Sequence, residues 1–152
     1  MTDTSLAVRR QRDVVAVVGP DALTYLLGQL SQDVEVLEVG GSAETFLLQP
    51  AGKVEAWMRV SRLAEDHYLL DVEAGFGAQV VARLTRFLLR TDCSIEEVEW
   101  DLVTVIDAEA SGFSPPVGGL ALPVEWPGLV AIDLLGPSVE LLGSSVGALG
   151  GS

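Results

Sequence analysis

Apolar positions in the first hundred residues recur with two different periods, and the alternation of these periods predicts the order of strands and helices. Short runs that are rich in β-branched residues and bounded by turns are typical of buried strands. Apolar residues spaced three or four apart are typical of a helix that packs one face on a sheet. The pattern predicts strands at 14–18, 44–49, 54–63, 67–72 and 94–99, one helix after Asp21 and a second helix at 76–90.

The predicted order, β-α-β-β-β-α-β, indicates an α+β fold in which two packed helices cover an antiparallel sheet. Asp21 lies in the first turn of the first helix, where its charge suits the positive end of the helix dipole. In the second helix, we expect Arg83, Arg86 and Arg90 to be more exposed than the apolar face. Two later strands are predicted at 102–106 and 129–135.

The chain of 152 residues has the length of one domain, and a faint internal repeat divides it. The ten residues that begin at Asp13 align with the ten that begin at Asp101, with four identical positions. The repeat predicts that a second β-α unit starts near Asp101 and is incomplete. We therefore expect a single truncated domain over 1–152, with a first α+β half at 1–100 and the start of a second half at 101–152.

The charge of the chain is unevenly distributed, and this limits the classes of partner. The formal net charge is −13, and residues 91–152 contain ten acidic residues and no lysine or arginine. Such a segment repels phosphate backbones, so we expect no direct nucleic-acid binding. It is either a solvated acidic face or a docking surface for a basic partner.

Features of the sequence also predict where the protein is found. No apolar run approaches the ~20 residues that span a bilayer, so we expect no membrane partner. Residues 1–13 carry charges but not the apolar core of a secretory signal. Cys93 is the only cysteine, so an internal disulfide cannot form, which agrees with a reducing compartment. We expect a cytoplasmic protein.

Three features that could carry chemistry have simpler explanations. Gly75 and Gly77 open a helix as a dinucleotide-binding loop would, but Val80 occupies the position of the third small residue. His67 is the only histidine, so a multi-histidine metal site is excluded and no metal is predicted. Cys93 has acidic neighbours in the sequence, which disfavour its thiolate. We expect a glycine-rich turn, a structural histidine and an inert thiol.

The predicted hairpin around residues 50–57 carries the strongest candidate for ligand binding. Lys53 is the only lysine, and Glu55 and Trp57 follow it at alternate positions, on the same side of a strand. A cation, a carboxylate and an aromatic plane on one face could bind a flat, anionic, hydrogen-bonding ligand. The alternative is an exposed hairpin with a cross-strand salt bridge.

The segment from Gly19 to Val34 resembles the opening motif of the folate-binding YgfZ proteins, which are relatives of the glycine-cleavage T-protein, a tetrahydrofolate-dependent aminomethyltransferase. The family form has a strand, then Gly-x-Asp-Ala, then a helix with the sequence aromatic-Leu-Gln-Gly-Gln-Leu-Thr-Asn-Asp-Val. The positions that agree are Gly19, Asp21, Ala22, Tyr25, Leu26, Gly28, Gln29, Leu30, Asp33 and Val34. Leu27, Ser31 and Gln32 depart from the motif. Weaker similarities extend the likeness over most of residues 13–137.

The resemblance implies a folate-binding domain built from two similar α+β halves, with tetrahydrofolate or a derivative in a central cavity. It also implies the family's roles in one-carbon metabolism, iron–sulfur protein maintenance and tRNA modification. The family's second half and its cysteine signature have no counterpart in this sequence. The paired aspartates of the T-protein correspond to Glu55 and Ala56, so Glu55 would have to replace the catalytic carboxylate. The resemblance leaves open whether the chain is an enzyme.

Three interpretations therefore stay open. In the first, two copies form a homodimer around a twofold axis and create a folate-binding cavity. In the second, an aminomethyltransferase-like enzyme acts with a partner that supplies the missing half, and Glu55 polarises the folate amine. In the third, the chain is a structural remnant without a ligand. The predicted site consists of Glu55 as the catalytic residue and of Lys53, Trp57, Arg59, Gln29 and Asp33 as folate contacts, with Arg59 offering charge to a glutamate tail.

Overall fold

The computed structural model describes residues 5–30, 37–48, 54–86, 88–106, 114–124, 127–128, 130–139 and 146–149. Their elements in chain order are β1 (Ser5–Arg10), β2 (Arg12–Val18), α1 (Ala22–Gln29), β3 (Ser42–Leu48), β4 (Val54–Ala64), β5 (His67–Glu73), α2 (Gly77–Arg86), β6 (Ser94–Val98), β7 (Asp101–Ile106), β8 (Leu120–Pro123), β9 (Ala131–Gly136) and β10 (Val146–Leu149). The chain forms two compact units. We call Arg12–Glu99 the larger unit, and Met1–Gln11 together with Trp100–Ser152 the second unit.

The larger unit contains a five-stranded antiparallel sheet with the strand order β3-β4-β5-β2-β6. The helix α1 connects β2 to β3, and α2 connects β5 to β6. The three strands from β3 to β5 form a meander of neighbouring antiparallel pairs. The predicted α+β class and the order β-α-β-β-β-α-β are therefore confirmed.

Both helices pack on one face of this sheet, which we call the helix face. The core there contains alternate residues of the strands and one side of each helix, and its members include Val15, Val17, Leu26, Met58, Val60, Leu70 and Leu84. Two polar contacts join the helices within this layer. The Tyr25 hydroxyl donates a hydrogen bond to the carbonyl of Leu84, and Arg83 Nη1 donates one to Gln29 Oε1 at 3.0 Å. Arg83 is only 9% exposed, so the expectation of an exposed arginine is wrong at this position.

The beginning of α1 is held against the segment that precedes β6. The carboxylate of Asp21 accepts a hydrogen bond from the Asp92 amide at 2.8 Å, and the Asp21 amide donates to the Asp92 carbonyl at 3.1 Å. Asp21 is the N-cap residue of α1, but its side chain makes no capping bond. Gly19 has φ +146° and lies against the same backbone, where a Cβ would be 2.4 Å from the Asp92 carbonyl oxygen. The Gly-x-Asp part of the motif therefore connects two segments of the fold.

The beginning of α2 is capped from a neighbouring strand. Asp13 Oδ2 accepts hydrogen bonds from the Gly75 amide at 2.9 Å and from the Gly77 amide at 2.8 Å. A Cβ at residue 77 would lie 2.7 Å from the Asp13 Cβ and 2.6 Å from Glu97 Oε2, so glycine is required for this close approach. The amides that a phosphate would need are already bonded to a carboxylate. The prediction of a structural glycine-rich turn agrees with this arrangement.

The second unit contains another five-stranded sheet, with the order β10-β1-β7-β9-β8. Its β1 and β10 pair in parallel, and the other neighbours pair antiparallel. Its buried core is formed by Ala7, Val103, Val105, Ile132, Leu134 and Val139. The strand β1 was not predicted from the sequence, because its formation depends on pairing with β7 and β10, which are distant in the chain. The predicted strand at 129–135 is observed as β9. The assignment of 101–152 as an incomplete second half stays a prediction.

Candidate ligand-binding surface

The β3–β4 hairpin carries an exposed pair of aromatic rings. Phe46 lies opposite Trp57 in the strand register, with ring centroids 5.9 Å apart and an angle of 32° between the ring planes. The neighbouring positions Met58 and Val60 belong to the core of the helix face, so Trp57 lies on the opposite face of the sheet. The exposed fractions are 39% for Phe46 and 63% for Trp57. A large apolar surface is thus kept open to solvent on a well-paired hairpin.

A β-bulge interrupts the hairpin next to this pair. Leu47 pairs with Ala56 and Leu48 pairs with Val54, so Glu55 is the extra residue of β4. Bulges break the strict alternation of side chains along a strand and are common beside functional sites. By simple alternation, Glu55 and Trp57 would lie on the same side of β4. The extra residue at the bulge interrupts this alternation, so alternation alone does not determine the side of Glu55. The side chain of Glu55 and all of Lys53 lie outside the described residues.

Arg59 follows Trp57 on the same face but has a partner within the sheet. It lies opposite Glu44 on one side and Asp71 on the other. Its Nε donates to Asp71 Oδ2 at 2.9 Å, and its side chain is 12% exposed. Arg59 therefore lies on the same face as Trp57 and has an internal ion pair that a ligand carboxylate would have to share.

Asp71 and Arg12 complete a group of charges that the sequence analysis did not identify. Asp71 is 1% exposed, and its two carboxylate oxygens bond to different arginines. Arg12 donates to Oδ1 from Nε at 3.0 Å and from Nη2 at 2.8 Å, while Arg59 bonds to Oδ2. Two arginines therefore compensate one buried carboxylate, as a charge in the interior requires. The only sequence signal was an acidic residue inside the apolar strand at 67–72.

Gln29, another predicted site residue, is not brought to the aromatic pair. Gln29 lies at the end of α1, in the helix layer, where it accepts the hydrogen bond from Arg83. It is therefore on the other side of the sheet from Trp57. Asp33 lies outside the described residues. Of the six predicted site residues, the structure brings together Trp57 and Arg59, and sequence analysis missed Phe46 as the partner of Trp57.

The other titratable candidates are placed in structural surroundings. Burial, followed by the charges of Asp21 and Asp92, raises the pKa of the Cys93 thiol, which agrees with an inert cysteine. Burial lowers the pKa of His67. Among the described residues, no group of three His, Cys, Asp or Glu side chains could hold a metal ion. Neither of the two helices described is long and apolar enough to cross a membrane.

The fold is similar to part of a known aminomethyltransferase structure. A crystal structure of glycine cleavage system aminomethyltransferase T from Bartonella henselae matches 90% of this chain with a TM-score of 0.74, at 19% sequence identity. The match covers 43% of that protein. At this level of identity the likeness establishes the architecture and not the activity.

Sequence comparison agrees with the structural match over shorter segments. An aminomethyltransferase of Lysinibacillus sphaericus is 40% identical over 60 residues, which are 40% of this chain and 16% of that protein. An uncharacterized protein of Haemophilus influenzae is 27% identical over 105 residues, which are 69% of this chain and 38% of that protein. No protein-family model matches the chain. The chain thus spans well under half the length of these relatives.

Proposed function

We propose that this chain is a module that binds a reduced folate, tetrahydrofolate or a derivative, without a complete apparatus for group transfer. The observation that carries the proposal is the exposed Phe46–Trp57 pair on a hairpin of an aminomethyltransferase fold. The partial identity with an aminomethyltransferase supports the same ligand class. The YgfZ-like character, with its roles in iron–sulfur maintenance and tRNA modification, and a cytoplasmic location belong to this proposal.

The aromatic pair suits the flat part of such a ligand. Aromatic groups stack with an offset or tilt, and each such contact adds about 0.5–1.5 kcal/mol beyond the burial of area. Trp57 has the larger open surface, so the pterin ring would stack mainly on the indole. In this proposal Lys53 supplies positive charge near the ring and Arg59 contributes to the binding of the glutamate tail. Gln29 and Asp33 are not needed for this contact.

Fluorescence of Trp57 provides the test of this site. The chain has three tryptophans, so the double variant Trp100→Phe/Trp126→Phe leaves Trp57 as the only indole. Adding 5-formyltetrahydrofolate should quench this emission in a saturable manner, because the ring stacks on the indole. The matched variant Trp57→Phe keeps the other two tryptophans. Equal saturable quenching in Trp57→Phe and none in the double variant would place the ligand elsewhere.

A second candidate function follows from the length of the match. The chain corresponds to 43% of the aminomethyltransferase T structure, so a partner could supply the rest of a transferase. The partner would be a second copy of this chain, in a homodimer, or a different protein. In this case Glu55, at the bulge beside Trp57, would act as the carboxylate that polarises the folate amine.

The role of Glu55 is testable in the reconstituted complex. Glu55→Gln keeps the size of the side chain and removes its charge, so transfer should be lost while folate binding remains. Glu44→Gln removes an exposed carboxylate from the neighbouring strand and serves as the control. Unchanged transfer in Glu55→Gln would exclude a catalytic role and leave the binding module as the function.

A further inference from the structure

The guanidinium of Arg12, at the start of β2, is held in one position. Its Nε and Nη2 both donate to Asp71 Oδ1, at 3.0 and 2.8 Å, and Nη2 also donates to the Asp71 carbonyl oxygen at 2.8 Å. The side chain of Arg12 is 21% exposed, while that of Asp71 is 1% exposed. Three hydrogen bonds to one buried residue fix the orientation of the arginine before any ligand arrives.

These contacts use only part of the hydrogen-bonding capacity of Arg12. A guanidinium has five N–H donors in a planar fork. The two carboxylate oxygens of Asp71 accept hydrogen bonds from different arginines. Arg12 therefore contacts only Oδ1 of the carboxylate and does not form a bidentate pair with both oxygens. The Nη1 group of Arg12 makes no hydrogen bond to the residues that the structure describes. Arg12 Nη1 is not among the buried side-chain atoms that lack a hydrogen-bond partner, so this unbonded edge of the guanidinium reaches solvent.

We propose that Arg12 binds the carboxylate of an anionic ligand through its Nη1 edge. The planar fork matches the geometry of a carboxylate, and the fixed side chain loses little conformational entropy on binding. Partial burial strengthens the attraction relative to a fully solvated arginine. The free dicarboxylate glutarate and the glutamate tail of a folate offer the same chemistry, so the site does not depend on the folate proposal.

Negative charges around Arg12 weaken the binding of a carboxylate. They also predict how substitutions near Arg12 should change the affinity for this ligand. Glu73 is exposed and lies opposite Arg12 in the register of β2 and β5, yet it makes no ion pair with the guanidinium. It repels an incoming carboxylate, as does the net charge of −13. Removing the charge of Glu73 should therefore tighten binding, whereas loss of the arginine fork should weaken it.

The experiment is a titration of the full chain with glutarate, followed by the NMR signals of the arginine Nε–H groups. The Arg12 signal should shift and saturate in the millimolar range. Glu73→Gln should tighten binding roughly threefold to tenfold, because a nearby like charge is worth about a kcal/mol at the effective dielectric of a protein surface. Arg12→Lys keeps a cation beside Asp71 but loses the fork, and should weaken binding about tenfold.

Arg86→Gln is the matched control, because it removes an exposed arginine of α2 from the same unit. It should change the affinity by less than about twofold if binding is local. A linear, unsaturated shift of Arg12, or equal weakening in Arg86→Gln and Arg12→Lys, would overturn the proposal. If Arg12→Lys does not fold, the Glu73→Gln titration decides, since an unchanged affinity there also contradicts the site.

Comparing 5-formyltetrahydrofolate with a tetrahydropterin that lacks the glutamate tail then shows whether the folate tail uses Arg12.

Discussion

Gly19 and Asp21 show how single residues of the Gly-x-Asp-Ala segment stabilise the fold itself. Asp21 exchanges two hydrogen bonds with Asp92, and Gly19 leaves no room for a side chain against the same backbone. These residues lie at the start of α1, in the helix layer, and not at the aromatic pair of the hairpin. The motif that carries the resemblance is therefore evidence for the architecture more than for the ligand.

Replacement of Gly19 by alanine should destabilise the protein strongly. The new Cβ would meet the Asp92 carbonyl oxygen at 2.4 Å, in a backbone conformation with φ +146°. Backbone strain and overpacking each cost about 1–3 kcal/mol, so we expect a loss of about 3 kcal/mol in the free energy of unfolding. Gly28→Ala is the control, since nothing lies within 4 Å of its Cβ position and alanine favours the helix by about 0.5–1 kcal/mol. Equal stability of the two variants in urea would show that the close approach of Gly19 to Asp92 does not require glycine.

The lowered pKa of His67 predicts how the stability of the fold changes with pH. Burial lowers the pKa of His67 below its usual value of 6.5, so the folded state favours the neutral ring. The resulting stability is present above pH 6.5 and is lost as the pH falls through the lowered pKa of the folded state. Urea unfolding between pH 8 and pH 5 should show a steeper loss for the parent than for His67→Gln. Parallel curves for the two proteins would show that the histidine is not responsible.

At the scale of elements, the cap of α2 comes from a strand that is distant in sequence. Asp13→Ala removes the acceptor for the amides of Gly75 and Gly77. Loss of a carboxylate cap typically costs about 1 kcal/mol and at most about 2 kcal/mol, and we expect a decrease of that size in thermal or urea unfolding. Glu96→Ala removes an exposed acidic residue of the same sheet and should change stability by less than about 0.5 kcal/mol. A similar effect of both substitutions would indicate general electrostatics in place of a cap.

The elements also show which parts of the fold are visible in a sequence. The strands β2, β4 and β5 and both helices were predicted because each contains a recognisable apolar pattern. The strands β2 and β5 bury four and five consecutive residues, as a short apolar run predicts. The buried residues of each helix follow the helical spacing. The strand β1 was missed, since its formation depends on pairing with β7 and β10, which are distant in the chain. Burial of Arg83 was missed for a similar reason, because its partner Gln29 lies on the other helix.

The candidate site was predictable only in part. Trp57 was identified from its position on a predicted hairpin, but its contact with Phe46 depends on the register of the two strands. The bulge at Glu55 depends on the same strand register, and no local sequence motif predicts it. The ion pairs of Asp71 join residues that are 12 and 59 positions apart, so sequence spacing alone could not predict them.

At the scale of the whole molecule, the short match to its relatives raises the question of self-association. The proposed homodimer should have twice the mass of the 16.1 kDa chain in light scattering at tens of micromolar protein. Two copies with a charge of −13 each repel one another, so the dimer fraction should rise with salt as the charges are screened. A monomer at all salt concentrations would rule out the homodimer and favour a different partner or an independent module.

In the proposed function, the Phe46–Trp57 surface of this aminomethyltransferase-like fold binds a reduced folate. The most direct measurement is a calorimetric titration of the chain with 5-formyltetrahydrofolate, together with Trp57→Ala and, as a control, Phe76→Ala. Phe76 is another exposed aromatic residue, which directly precedes α2. We predict micromolar binding to the parent and to Phe76→Ala, and a loss of binding in Trp57→Ala. Absence of binding to the folded parent at millimolar ligand would contradict the claim.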